Sequence, residues 1–171
     1  MKIISGALAL VLTSGAAHGD ELPQRKAGLW EIITTDVSGK RPPRKQRLCL
    51  DRESDALLNK MGIATGQQAC AKNEIHVTGN RVTIHAVCDF GASQLTSDGV
   101  ITYSGDSSYR NELHGHFQPP MAGVGDTHTV QDGKWVGACP ADMQPGDLVM
   151  NQGPGGREVK MNLRAMFGSH P

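Results

Sequence analysis

Apolar positions in this chain recur mostly at every second residue, the spacing of half-buried strands. Leu29 to Thr35 is the clearest early run, with Trp30 and Ile32 on one face. Arg47 to Leu50 predicts a second short strand, and Val37 to Lys45 between them reads as a Gly/Pro loop. Ile75 to Val77 and Val82 to Val87 flank Gly79-Asn80, a two-residue hairpin signal. That register sets Val77 opposite Val82 and Ile75 opposite Ile84. Gln94 to Tyr103, Tyr109 to Phe117 and Thr127 to Val136 continue the pattern, with a second tight-turn signal at Asp132-Gly133. The period breaks over Asp51 to Met61, which predicts a helix. Asp51 caps it, Glu53 and Asp55 suit its N-terminal dipole, and Leu57, Leu58 and Met61 form its stripe. Gly62 ends this helix, and residues 62–69 read as a loop.

Consecutive strands with short turns predict an all-β antiparallel meander. About seven strands would form a strongly curved sheet or open barrel, with one short helix inserted after the second strand. From Pro140 the chain is rich in Gly, Pro and Met and reads as an extended tail, with at most a short strand at Val159 to Leu163.

The N-terminus changes the picture. Met1 and Lys2 lead into an apolar run, Ile3 to Leu12, then the small-residue stretch Thr13 to Gly19. A spanning helix needs about 20 apolar residues. This shorter run reads as a signal peptide, residues 1–19, with Ala17-His18-Gly19 as its cleavage site. A periplasmic location is therefore expected. Of 171 residues, 152 follow that site, enough for one domain over 20–139 and a tail over 140–171. Those 152 carry 16 basic and 17 acidic residues, a net charge of −1, which argues against general nucleic-acid binding.

Only three Phe, two Trp and two Tyr accompany 21 Gly, so the core is modest and disulfides would compensate. Cys49, Cys70, Cys88 and Cys139 allow three pairings. Cys70–Cys88 with Cys49–Cys139 is favoured, without excluding the others. The hairpin register sets Cys70 opposite Asp89, so a Cys70–Cys88 bridge requires a one-residue bulge or slack at the strand ends.

Arg25-Lys26-Ala27-Gly28-Leu29-Trp30-Glu31-Ile32 resembles an (R/K)-x-G-L-W-E opening. Leu48-Cys49-Leu50 follows, then Cys70 and Cys88 around the Gly-Asn hairpin. Next come Tyr103-Ser104-Gly105-Asp106 and Gly133-Lys134-Trp135-Val136-Gly137-Ala138-Cys139. In this order, over Pro23 to Cys139, the set resembles an exported family of Gram-negative bacteria, domain of unknown function 3617. The resemblance implies a periplasmic, all-β protein and carries over no catalytic residue.

Candidate chemistry is sparse. No Gly-x-Ser-x-Gly elbow, P-loop or His-Glu-x-x-His occurs, so a noncatalytic protein without cofactor is expected. Gly153 to Gly156 contains Pro154 and reads as flexible tail. A curved sheet offers a concave face for a small apolar ligand or lipid, and Trp30, Ile32, Ile84 and Leu113 are its candidate lining. Lys40, Arg41, Arg44, Lys45 and Arg47 form a basic loop that would meet anionic envelope lipids or serve as a surface for interaction or stress tolerance. His114 and His116, at i and i+2, are metal-ligand candidates on one strand face, with His85 and His128 on other strands. Ordinary solvated histidines on the face opposite Leu113 and Phe117 are the favoured reading, and no metal is expected. Met143, Met150, Met161 and Met166 match no tight copper cluster. The sequence leaves the oligomeric state open.

Overall fold

The two-residue period becomes nine antiparallel strands in a computed structural model that describes residues 21–151 and 156–167. The signal segment 1–19 and most of the glycine-rich stretch, 153–155, lie outside the described residues. In chain order the elements are β1 (Gly28–Asp36), β2 (Arg44–Leu50), α1 (Arg52–Ala69), β3 (Cys70–Thr78), β4 (Arg81–Phe90) and β5 (Ser93–Ser104). There follow β6 (Ser108–Met121), β7 (Val124–Gly137), β8 (Asp147–Asn151), β9 (Glu158–Asn162) and α2 (Leu163–Phe167). The sheet runs β3-β4-β5-β6-β7-β1-β2-β8-β9 and is open and curled, with β3 and β9 as its edges.

Alternation along the strands assigns the faces. Trp30, Ile32, Leu48, Leu50, Val82, Tyr103 and Tyr109 form the buried core, with Leu58 of α1 packed against it. The β3–β4 register is the expected one, Val77 opposite Val82 and Ile75 opposite Ile84. A register shift between Cys70 and Lys72 then places Cys70 opposite Cys88, supplying the bulge that the bridge requires. Both favoured disulfides, Cys70–Cys88 and Cys49–Cys139, are present.

Asp51 caps α1 as predicted. Its carboxylate accepts from the Ser54 N–H at 2.9 Å, while its own N–H donates to the Ser54 hydroxyl at 2.9 Å. Gly62 does not stop the helix, however, and residues 62–69 are helical rather than loop. The Cys70 N–H closes the last turn on the Gly66 carbonyl, and Cys70 is itself fixed by its bridge. Gly66 also admits Asn73 of β3, whose amide nitrogen would lie 2.4 Å from an added Cβ.

Three further readings change. The basic loop is shorter than expected, because Arg44 and Lys45 already belong to β2. Asp132-Gly133 makes no turn but lies within β7, where a Cβ at Gly133 would meet the Tyr109 ring at 2.2 Å. Glycine there makes room for a core aromatic. The described residues after Pro140 are not an extended tail. β8 pairs with β2, β9 pairs with β8, and Leu163 of α2 enters the core. Arg164 then reaches back to the carboxylates of Asp51 and Glu53 at the start of α1.

Candidate functional site

The second half of α1 does not close fully on the sheet. Leu58, Asn59, Gly62 and Ile63 of the helix face Ile75, Ile84 and Ile101 of β3, β4 and β5 across a cleft of about 290 Å³. Leu22 and Arg25 also line it, and Asn73, Tyr103, Tyr109, Asn111 and Gln131 complete the lining. The walls are aliphatic because each strand turns its inward, odd- or even-numbered set to the helix.

The floor is polar. The Tyr109 hydroxyl donates to the Gln131 side-chain oxygen at 3.1 Å, and Gln131 donates onward to Thr34 at 3.3 Å. Burial raises both the Tyr103 and Tyr109 phenols above the usual tyrosine range, with the Arg25 guanidinium pulling the other way. Both are therefore neutral near pH 7. The Asn111 side-chain oxygen is buried and has no hydrogen-bond partner among the described residues. Arg25 is held by Asp55, whose carboxylate accepts from the Arg25 Nε at 2.6 Å and from its backbone N–H at 3.0 Å. Only 2 % of the Asp55 side chain is exposed, so this is a buried ion pair beside the cleft.

Of the four residues expected to line a ligand site, only Ile84 reaches this cleft. Trp30 and Ile32 are core, and Leu113 stands on the same sheet face but 37 % exposed beyond the cleft. Ile101, Leu58 and Asn111 were missed. The first two follow the strand and helix patterns, and alternation sets Asn111 on the inward face with Tyr109 and Leu113, but a polar side chain gives no sign of lining an apolar cleft.

The basic residues do not form one patch. Lys40 and Arg41 lie in the loop before β2, and Arg41 pairs with Asp36 at 3.1 Å. Arg44 and Lys45 alternate to opposite faces of β2, and Arg47 pairs with Glu158 at 2.7 Å. His114 and His116 share a face but not a partner. His116 Nδ1 meets Asp126 at 2.7 Å, whereas His114 stacks on His128 with ring centroids 4.0 Å apart.

The motifs that carry the resemblance converge in space. Trp30 and Trp135 are opposed on β1 and β7. The Trp30 indole donates to the Lys26 carbonyl at 2.8 Å and the Trp135 indole to the Ala27 carbonyl at 2.9 Å. The Lys26 N–H donates to the Asp106 carbonyl at 2.8 Å, and its ammonium lies 3.9 Å from the Trp135 ring centroid. Gly28, at φ +131°, lets these chains meet, since a Cβ there would lie 2.2 Å from the Gly137 carbonyl oxygen. These residues define a two-disulfide, all-β domain on an open curled sheet, locked at one end by a tryptophan pair. The chain belongs to the family described as Protein of unknown function (DUF3617), whose model matches residues 25–139. No curated protein and no solved structure matches the chain.

Proposed function

We propose that this protein is a noncatalytic binding module of the bacterial periplasm. In this reading it holds a small, largely apolar molecule in the cleft between α1 and the sheet. The observation that carries the reading is the Asn111 side-chain oxygen, buried without a partner among the described residues at a cleft with aliphatic walls and a polar floor. An unsatisfied buried acceptor costs about 1–3 kcal/mol, and a turn of the Asn111 side chain would bring it into the cleft, where a ligand hydroxyl or amine would relieve it. The volume, about 290 Å³, lies at the lower end of small-molecule sites and suits a compact amphiphile better than a whole phospholipid. The two disulfides and the signal-like N-terminus support an oxidising, exported setting.

The test is a fluorescence titration of the full chain with 1-aminoanthracene, an apolar molecule with one donor group. Ile101→Trp and Ile84→Trp should each fill the cleft and abolish binding while the thermal midpoint stays near that of the parent. Asn111→Leu should weaken binding about 10-fold, the equivalent of one lost hydrogen bond of about 1.4 kcal/mol. Undiminished binding in both tryptophan variants would exclude the cleft.

A further inference from the structure

The face of the sheet opposite α1 carries all five histidines among the described residues. Register places Glu74, His85, Asp98, His114 and His128 directly opposite one another on β3, β4, β5, β6 and β7. His76 and Glu112 lie on the same face in one adjoining row, and His116 and Asp126 in the other. Core packing does not account for this, since these side chains face solvent or are only partly covered.

Within that face one group differs from the rest. His85 and His116 each take a carboxylate of their own, Asp98 at 2.8 Å and Asp126 at 2.7 Å. Glu112 instead serves two imidazoles through a single oxygen. Its Oε1 lies 2.8 Å from His128 Nε2 and 3.5 Å from His114 Nε2, and the three ligand atoms all lie within 4.8 Å of one another. Glu112 and His114 are i and i+2 on β6, and His128 faces His114 across the β6–β7 ladder. Three ligands from two paired strands thus converge on one point above a rigid surface.

We infer that Glu112, His114 and His128 bind one borderline divalent cation, zinc(II) or copper(II). Two neutral imidazoles and one carboxylate are the donor set that such ions take. Tetrahedral zinc needs its ligand atoms about 3.3 Å apart, from bonds near 2.0–2.1 Å. The two contacts to Glu112, at 2.8 and 3.5 Å, bracket that separation. Coordination replaces the ring stack, turning both Nε2 lone pairs onto the ion. Grooves of about 550 and 450 Å³ flank the group, so a fourth position stays open to water or another small ligand. This site lies across the sheet from the cleft and does not depend on it.

The test is calorimetric titration of the untagged, disulfide-intact full chain with zinc chloride and with copper sulfate. Cobalt(II) absorption would report the coordination number. One ion per chain is expected, with a four-coordinate cobalt spectrum. Glu112→Gln and His128→Ala should each weaken binding at least about 10–100-fold, the loss that even an outer-shell partner produces. His85→Ala and His116→Ala should leave affinity within about twofold. All four side chains are at least partly solvent-exposed, and circular dichroism would verify that each variant keeps its fold. Absence of binding by every ion would overturn the inference. So would binding that survives the Glu112→Gln, His128→Ala double change, or an equal loss in His116→Ala.

Discussion

Asp147 illustrates how one side chain commits the C-terminal segment to the sheet. It is buried at the start of β8. Its carboxylate meets the Lys160 ammonium, the Gln144 N–H and the Asn162 amide, each at 2.8 Å. Burial alone would raise its pKa, but these three donors override that and hold it below the ordinary carboxylate value. A depressed folded-state pKa contributes stability that is full above the unfolded value, about 3.9, and lost as pH falls through the folded value. Asp147→Asn should therefore lower stability by about 1–3 kcal/mol at pH 7. By urea unfolding, that deficit should shrink progressively below about pH 4. Asp55 makes a second case. Removing it strands the largely buried Arg25 guanidinium, and Asp55→Ala should cost about 3–5 kcal/mol in the same assay. Neither partnership follows from period-two reading, which marks charged residues as surface. Trp30, Ile32 and Val82 were legible as inward residues because their neighbours alternate with them.

At the scale of elements, strand existence was easier to read than register or length. The β3–β4 hairpin follows from Gly79-Asn80, and of the two ways to bridge Cys70 and Cys88, a bulge or slack at the strand ends, the structure takes the bulge. The β6–β7 pair did not. Met121 opposes Val124 at the turn, and continuing that register would set His114 against Gln131. The stretch through Pro119 and Pro120, which lack N–H donors, interrupts the ladder. Beyond it the register has shifted by three residues, and His114 faces His128 instead. That shift assembles the histidine pair and hid it from the sequence. α1 was underestimated for another reason. Gly62 is a local stop signal, but the Cys70–Cys88 bridge and the seat of Asn73 against Gly66 carry the helix to Ala69. The two bridges should differ in strength. Cys49–Cys139 spans 90 residues and Cys70–Cys88 only 18. On a chain-entropy account the first contributes about 4.5 kcal/mol and the second about 3. Urea unfolding of paired Cys→Ser variants should show the larger loss for the Cys49, Cys139 pair.

Over the whole molecule, the family match ends at residue 139 while the sheet continues through β8 and β9. These strands cover what would otherwise be the exposed edge at β2. Gly and Pro dominated the composition there and concealed β8, whose pairing with β2 is long-range, while β9 falls on the short strand expected at Val159 to Leu163. The curl of the sheet leaves one face partly roofed by α1 and the other open to solvent. The first carries the cleft, with aliphatic walls from five segments of chain and one unpartnered acceptor. Its strand contributions were legible as inward positions. Its being a cleft was not, because the gap depends on where an 18-residue helix comes to rest.

The most direct measurement of the cleft's role is native mass spectrometry of the untagged protein purified from its producing cell. The account predicts one noncovalently bound small molecule per chain, released on denaturation and absent from the Ile101→Trp variant. A native mass equal to that of the bare polypeptide, or the same adduct on Ile101→Trp, would contradict it.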